Sequence, residues 1–269
     1  SNQASAYYGG SVSGANDVNA DGYDDVIIGS RLYDNGQTNE GRAYFYLGSP
    51  SGIITTPNAI LESNQTNAEF GNEVCELGDV NNDGFNDVAV ASNKFDNGST
   101  DEGRVFIFHG KASGLNTIAN TTLESNKYNA QFGNSIAGSG DVNNDGFNDI
   151  IIGASEYSNE NELEGAAFVY HGSISGIIST PSIIIQGNQY GANFGTGVCC
   201  NGDINNDGFN DIIVSATIDN DQFNEGKLFV FPGTATGVKG SPLFTFETDY
   251  STNYYGKYVT FFNDINGDE

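Results

Sequence analysis

The sequence predicts an all-β protein in which one four-stranded unit of 62 residues is repeated in tandem. An Asp-rich segment begins at Asp17 and returns at Asp79, Asp141 and Asp203, 62 residues apart each time, and a truncated fifth copy begins at Asp264. Short runs rich in Val, Ile, Phe and Tyr surround each copy. The 36 glycines and only 5 prolines suit many short strands that are joined by tight turns.

Composition narrows the classes of partner. The 35 acidic and 9 basic residues give a net charge of −26. Nucleic acids and anionic membranes are bound through Lys and Arg, so we expect neither as a partner. No apolar run approaches the roughly 20 residues that span a bilayer, so we expect no membrane insertion. Because the chain has no Met and no leader sequence, we interpret it as a segment of a longer protein with flanking domains.

The rest of the unit repeats as regularly as the Asp-rich segment. An aromatic residue followed by Gly precedes each segment, at Tyr8, Phe70, Phe132, Phe194 and Tyr255. A polar loop between the second and third apolar runs ends in Glu-Gly, at Glu40, Glu102, Glu164 and Glu225. The chain therefore divides into repeats 8–69, 70–131, 132–193 and 194–254, with a partial fifth at 255–269, all within one domain. Four strands per tandem repeat is typical of a β-propeller blade, and an open β-solenoid is the alternative.

The Asp-rich segments have the spacing of a calcium loop. Oxygen donors stand at positions 1, 3, 5 and 9, and the Gly at position 6 permits a sharp turn around one point. A backbone carbonyl at position 7 would add a further ligand. Hard oxygen donors in this number favour Ca²⁺ over softer metals and over Mg²⁺.

Two other interpretations of these segments are less consistent with the sequence. An EF-hand requires a bidentate Glu at position 12, whereas this position is Ile28, Val90, Ile152 or Val214 in an apolar run. Simple Asx-turns do not require three converging carboxylates, which would repel one another without a cation. We therefore predict calcium loops between two strands.

Taken together, the aromatic-Gly pair, the Asp-rich loop and the apolar run ending in Gly153-Ala154 resemble the FG-GAP repeat. That repeat builds the N-terminal β-propeller of integrin α subunits and of related bacterial surface proteins. The resemblance implies that each loop joins the first two strands of a blade and holds one Ca²⁺ on the lower face. The implied ligands, with the residue at position 7 contributing its carbonyl, are Asp17, Asn19, Asp21, Tyr23, Asp25, Asp79, Asn81, Asp83, Phe85, Asp87, Asp141, Asn143, Asp145, Phe147, Asp149, Asp203, Asn205, Asp207, Phe209 and Asp211.

The chain departs from the FG-GAP pattern in two respects. Propellers of that family have seven blades, whereas this chain has four full units and the start of a fifth, so we expect it to be part of a larger propeller. The fifth loop, with Asp264, Asn266 and Asp268, stops before its ninth position. We therefore predict about four Ca²⁺ per chain, with a fifth site in question.

These ions are expected to be structural, because every loop carries the same ligand set and a catalytic metal needs an open position beside an acid or base. Sites of this type fill where calcium is plentiful, which indicates an extracellular or cell-surface protein. The only histidines, His109 and His171, occupy equivalent positions at the ends of third strands, where we expect a structural role. We predict that the chain is not an enzyme.

The repeats diverge most in the loop between the second and third strands, which the resemblance places on the ligand-binding upper face. We predict an adhesion or recognition module that binds an extracellular protein or glycan there. The candidate contact residues are Tyr33, Asp34, Phe95, Asp96, Tyr157, Asp219 and Phe223. The alternatives are a propeller-type polysaccharide lyase or hydrolase, and a structural subunit that self-assembles into a fibre or surface layer.

Two further sets of residues have open interpretations. Cys75, Cys199 and Cys200 are an odd number, which excludes complete pairing within the chain, and we expect buried free thiols. Asn64, Asn97 and Asn120 begin Asn-x-Ser/Thr sequons, which matter only in a host that glycosylates.

Overall fold

The structure is a computed structural model that describes residues 3–219, 225–247 and 256–261. These residues form strands and turns, and no helix in them could span a membrane. Four antiparallel four-stranded sheets follow one another along the chain, one for each repeat, and we call them blades 1 to 4. The predicted all-β propeller fold is confirmed.

Each blade is a meander in which consecutive long strands pair. Blade 1 contains β1 (Tyr8–Asn16), β2 (Asp25–Ser30), β3 (Arg42–Tyr46) and β4 (Ala59–Glu62). Blade 2 contains β5 (Glu73–Gly78), β6 (Asp87–Ser92), β7 (Arg104–Phe108) and β10 (Thr121–Glu124), with a small ladder of β8 (Gly110–Lys111) and β9 (Gly114–Leu115) before its last strand. Blade 3 contains β11 (Ser135–Gly140), β12 (Asp149–Ala154), β13 (Ala166–Tyr170) and β14 (Ile183–Gln186). Blade 4 contains β15 (Val198–Gly202), β16 (Asp211–Asp219), β17 (Glu225–Phe231) and β18 (Phe244–Glu247).

Neighbouring blades meet through their first strands and bury a core between their faces. Strand β1 lies against β5, β5 against β11, and β11 against β15. Between blades 1 and 2, Ile27, Ala43 and Phe45 of the first blade pack with Val74 and Val90 of the second. The two following junctions have equivalent apolar layers. The core therefore lies in slabs between blades, which explains why one period of the sequence specifies both a blade and its interface.

The repeated Glu-Gly and aromatic-Gly pairs mark the closest approach of two blades. Gly41 forms a backbone bridge with Phe70 of the next blade, and its φ of +78° belongs to the left-handed region. A side chain at Gly41 would collide with the backbone of Phe70, and a side chain at Gly29 would collide with that of Gly71. Glycine is required at these points because the two backbones touch.

The outer side of blade 1 has no described neighbour, although its sequence matches that of the covered blades. Val12 is 59% exposed, whereas Val74, at the same position in blade 2, is 4% exposed. Ile53 is 46% exposed, whereas its counterpart Leu115 is 3% exposed. Equivalent positions of blades 1 and 2 thus differ in burial, because only blade 2 has a described preceding blade to pack against.

This difference predicts opposite outcomes for one substitution at two equivalent sites. Val74→Ala should lower the free energy of unfolding by about 2 kcal/mol, because it removes buried methyl groups and leaves a cavity. Val12→Ala, the matched control, should change it by less than about 0.5 kcal/mol. Urea denaturation followed by tyrosine fluorescence measures both. Equal losses in the two variants would contradict the assigned burial.

Glu73, at the start of β5, is the most perturbed carboxyl group outside the Asp-rich loops. It borders a cavity of about 150 Å³ that Ser135, Val198 and Lys257 also line. Burial raises the pKa of Glu73 to about 7, against a smaller opposing effect of its hydrogen bond with Ser11. Since the usual value is 4.5, ionisation of Glu73 opposes folding, and this cost develops as the pH rises from about 4.5 to about 7.

Glu73→Gln should therefore stabilise the protein at pH 8 and leave its stability at pH 4.5 unchanged. We expect a gain of about 2 kcal/mol at pH 8, which is less than the full shift implies because solvent screens part of it. Thermal and urea unfolding at both pH values, with wild type in parallel, measure the difference. The same gain at both pH values would show that the charge of Glu73 is not the cause.

Candidate calcium loops and the opposite face

The four Asp-rich loops join the first and second strands of their blades and share one conformation. They span residues 17–25, 79–87, 141–149 and 203–211. The residue at position 4 and the Gly at position 6 have positive φ in every loop, for example +57° at Ala20 and +91° at Gly22. Two left-handed residues so close together fold the loop back on itself, as the sequence predicted from the Gly alone.

Side chains at positions 1, 3 and 5 turn into the loop. In blade 1, Asp17 Oδ1 accepts a hydrogen bond from the Asp21 N–H at 3.0 Å, and Asp17 Oδ2 accepts one from the Gly22 N–H at 2.7 Å. Asn19 Oδ1 lies 3.3 Å from the same Asp21 nitrogen. Asp21 Oδ1 accepts from the Tyr23 N–H at 3.0 Å. The other three loops repeat these four contacts. Oxygens from positions 1 and 3 therefore converge on one point.

The aspartate at position 9 is buried and connects two parts of its blade. Asp87 Oδ2 accepts from the Val80 N–H and its Oδ1 from the Gly110 N–H, both at 3.0 Å. Asp25, Asp149 and Asp211 make the equivalent pairs of contacts. Burial raises the pKa of Asp87 and Asp149 to about 7, against these hydrogen bonds, and the carboxylates at positions 1 and 5 raise it further.

The donor set of each loop fits calcium by its chemistry. Among the described residues, no group of three or more His, Cys, Asp or Glu side chains is arranged to hold a metal ion as it stands. However, in every loop the carboxylates at positions 1 and 5 repel the one at position 9. No ion pair between described residues involves a loop carboxylate. A divalent cation held by these oxygens would offset that repulsion.

The predicted fifth loop, with Asp264, Asn266 and Asp268, lies outside the described residues. The three cysteines are free thiols, with Cys199 and Cys200 buried and Cys75 partly buried. Burial raises the pKa of the Cys200 thiol well above its usual range, which disfavours the reactive thiolate.

The two histidines lie beside the loops of blades 2 and 3, a proximity that the sequence analysis missed. His109 Nδ1 is 3.3 Å from Asn81 Nδ2, and His171 Nδ1 is 3.4 Å from Asn143 Nδ2. Burial lowers the pKa of both imidazoles, while the carboxylates at positions 1 and 5 of the adjacent loop raise it. The available signal was that both histidines stand 22 residues after the ninth position of their own loop.

The opposite end of the strands, which we call the upper face, carries the loops between second and third strands and the connections between blades. The Gln65 side chain donates to the Asp96 carbonyl at 2.8 Å and accepts from the Asp96 N–H at 2.7 Å, so the connection between blades 1 and 2 contacts the loop of blade 2. The Glu-Gly glutamates Glu40, Glu102 and Glu164 are buried at the bases of these loops.

The structure turns most of the candidate aromatic residues of these loops inward. Phe95 and Tyr157 are 9% and 6% exposed, and they pack edge-on against Phe106 and Phe168. The guanidinium of Arg104 lies 4.1 Å from the centre of the Phe95 ring. Tyr33 is half-buried under the corresponding guanidinium of Arg42, at 3.9 Å.

The candidate acidic residues Asp34 and Asp96 lie at the surface. Asp34 Oδ1 accepts from the Asn39 N–H at 2.6 Å, and Asp96 Oδ1 from the Asp101 N–H at 2.7 Å, so these carboxylates also close their own loops. Asp219 ends β16, but its side chain is not among the described atoms, and Phe223 lies outside the described residues.

The aromatic residues that do reach solvent on the upper face come from the connections between blades. Tyr128 is 73% exposed and Tyr190 is 63% exposed. Tyr128 borders a cavity of about 350 Å³ between blades 2 and 3, which Glu156 and Glu162 also line. The sequence analysis did not select these tyrosines, because it looked only at the loop in which the repeats diverge most.

The charged residues of the upper face also differ at the junction of blades 2 and 3. In blade 2, the Lys94 ammonium lies 2.6 Å from the Glu69 carboxylate. At the junction of blades 2 and 3, Glu156 replaces the lysine and Gln131 replaces the glutamate. The Glu156 carboxylate accepts from Asn129 Nδ2 at 2.7 Å but has no basic partner among the described ion pairs. The repeat symmetry is thus broken by a carboxylate in the place of a lysine, next to an exposed tyrosine, in a cavity that Lys127 also lines.

Comparison with known proteins agrees with this architecture. The chain matches the FG-GAP repeat at residues 8–46, 76–108 and 132–170. It is 36% identical over 160 residues to integrin alpha-IIb of Mus musculus and 37% identical over 161 residues to integrin alpha-5 of Xenopus laevis. Integrin alpha-V of Gallus gallus is 36% identical over 161 residues. Each match covers 56% of this chain and 15% of the relative, so the chain corresponds to a small part of those proteins.

Repeated four-stranded blades with Asp-rich turns define the class, which is the β-propeller. Within that class, three segments of the chain match the FG-GAP repeat, and the chain is similar to integrin alpha chains.

Two aspartates of one loop should respond differently to removal. Asp87→Ala leaves the Val80 and Gly110 N–H groups unpaired, so we expect a loss of about 3 kcal/mol even in EDTA. Asp83→Ala removes an exposed carboxylate that repels Asp87 but also accepts from the Phe85 N–H and from Asn81 Nδ2, so its loss of stability in EDTA should be much smaller than that of Asp87→Ala. Urea unfolding in EDTA tests both variants, and an Asp87→Ala protein as stable as wild type would contradict the structural role of position 9.

Proposed function

We propose that this chain is an extracellular calcium-binding recognition module in which the lower-face loops hold about four Ca²⁺ and the upper face binds a partner. The ions are structural, and the module is not an enzyme. The observation that carries the proposal is the contrast between the faces. The four Asp-rich loops repeat the same hydrogen bonds from backbone N–H groups to the side chains at positions 1, 3, 5 and 9, whereas the upper face differs at the junction of blades 2 and 3.

Calcium binding is supported by the unrelieved repulsion among three carboxylates in each loop. Side chains at positions 1, 3, 5 and 9, with the position-7 carbonyl, would hold the ion. Bound calcium would supply positive charge that holds the side chains of the turn, at positions 1, 3 and 5, close to the aspartate that begins the second strand, at position 9. For a site with an extracellular-type affinity near ~10⁻⁴ M in ~1 mM calcium, linkage gives roughly 1.4 kcal/mol, or about 6 kcal/mol for four sites.

Chelation should therefore destabilise the protein. We expect the melting temperature to fall by about 10 °C or more when calcium is replaced by EDTA, and calorimetry to count about four ions per chain. Magnesium at the same concentration is the matched control and should restore little of the loss. An identical melting temperature in calcium and in EDTA would refute the structural role of the ions.

Partner binding is supported by the chemistry of the upper-face junction. Tyr128 offers an exposed ring, and Glu156 offers a carboxylate without a basic partner among the described ion pairs. A ring and a carboxylate side by side suit a basic side chain, through a cation–π contact and a charge-assisted hydrogen bond. The similarity to integrin alpha chains supports a protein ligand over a glycan. We accordingly propose a basic segment of an extracellular protein as the ligand class.

The charge at this junction provides the test. Glu156→Lys installs the residue that blade 2 has at the same position, so the fold should tolerate it. We expect wild type to bind Arg- and Lys-containing peptides on a peptide array and the variant to lose that binding. Glu160→Lys, on the exposed part of the same loop, is the charge-matched control and should bind more nearly as wild type does. Binding confined to a glycan array, or unaffected by Glu156→Lys, would refute the proposed ligand class.

A further inference from the structure

The two histidines divide the four calcium loops into two kinds. His109 directly follows β7 and His171 directly follows β13. Blade 1 has Leu47 and blade 4 has Pro232 at the same position. Because the four loops otherwise share the same ligand pattern, the chain contains its own comparison of loops with and without an adjacent imidazole.

In blades 2 and 3, the imidazole completes the hydrogen bonding of the position-3 asparagine. Asn81 Nδ2 donates to Asp83 Oδ2 at 3.0 Å and faces His109 Nδ1 at 3.3 Å, while Asn81 Oδ1 accepts from the Asp83 N–H at 3.1 Å. Asn143 makes the same three contacts, at 2.9 Å with Asp145 Oδ2, 3.4 Å with His171 Nδ1 and 3.1 Å with the Asp145 N–H. An amide NH₂ can only donate, so in this amide orientation each Nδ1 accepts and the proton of the neutral ring is on Nε2, which is buried without a hydrogen-bond partner among the described residues.

In blades 1 and 4, the equivalent asparagine is held less fully. Asn19 Nδ2 donates to Asp21 Oδ2 at 2.9 Å, and no imidazole is present to accept its second hydrogen. Asn205 is exposed, and its Oδ1 accepts from the Asp207 N–H at 2.9 Å. Asn81 is 8% exposed, whereas Asn143 and Asn19 are both half-buried, so the hydrogen bond to the imidazole and not burial separates the two kinds of loop.

The far edge of each ring is enclosed by the following blade. A side chain at Gly176 of blade 3 would come within 2.7 Å of the His109 ring, and one at Gly237 of blade 4 within 2.9 Å of the His171 ring. Both glycines have positive φ, at +95° and +99°. The imidazole is therefore held between the loop of its own blade and the backbone of the next, which fixes the direction of Nδ1.

We propose that His109 and His171 are positioning residues that orient Asn81 and Asn143 for calcium, so that the loops of blades 2 and 3 bind the ion more tightly than those of blades 1 and 4. An asparagine amide can rotate by half a turn and present its NH₂ group to the ion instead of its oxygen. An acceptor at Nδ1 stabilises only the orientation that directs Oδ1 into the loop. Partners of this kind typically change metal affinity by roughly 10- to 100-fold. The inference rests on the proposed calcium function.

Calcium calorimetry on the whole chain tests this proposal with two substitutions at one position. His109→Leu installs the residue of blade 1 and removes the acceptor, whereas His109→Asn keeps an oxygen near the place of Nδ1. We expect two tighter and two weaker sites in wild type, one tighter site in His109→Leu with the lost site weakened by about 10-fold, and recovery of most of that affinity in His109→Asn. His171→Leu and His171→Asn repeat the comparison in blade 3.

Thermal melts in EDTA separate positioning from a packing role. If His109 acts only by packing, the melting temperature in EDTA should change in parallel with calcium affinity across the variants. If His109 positions Asn81, His109→Asn should recover calcium affinity without recovering the melting temperature in EDTA. Four equivalent sites in wild type, or equal affinities of the Leu and Asn variants, would overturn the proposal while leaving the calcium function intact. No calcium binding to wild type would overturn both.

Discussion

The buried carboxylate at position 9 of each Asp-rich loop is the contact on which the rest of a blade depends. Through its two oxygens, Asp87 joins the backbone of its own loop, at Val80, to the backbone that follows the third strand, at Gly110. Three strands of the sheet are thereby connected at one end. Two buried N–H groups need this acceptor, and its position next to two other carboxylates generates the charge that a cation would neutralise. The stability of the blade and the proposed binding of calcium therefore depend on the same residue.

The lower-face loops also connect neighbouring blades. Asn86 Nδ2 donates to the Asp17 carbonyl at 3.0 Å, Asn82 Nδ2 to the Gly146 carbonyl at 2.8 Å, and the Asp141 N–H to Asn210 Oδ1 at 2.7 Å. Each loop thus touches the loop of an adjacent blade, so an ion that orders one loop also supports the junction between blades. Because the lower-face loops make these contacts between blades, the upper-face loops can vary in sequence as long as they preserve the Glu-Gly contact at their base.

Much of this organisation could be predicted from the sequence, because a 62-residue period specifies strands, turns and interfaces together. The conformation around Gly22 and the position of the loops between strands follow from residue types alone. The burial of individual side chains does not follow from residue types. Phe95 looked like a contact residue, but Arg104 covers its ring, and Val12 and Val74 differ only in what lies next to them. The contact between His109 and Asn81 spans 28 residues and depends on the path of β7, which a linear pattern does not show.

A crystal structure of the whole chain grown in calcium would test most directly whether these loops are metal sites. The account predicts one ion in each of the four loops, about 2.3–2.6 Å from the side-chain oxygens of positions 1, 3, 5 and 9 and from the carbonyl of position 7. The anomalous signal of calcium would identify each ion. Loops that keep their backbone hydrogen bonds and contain no ion at millimolar calcium would contradict the account.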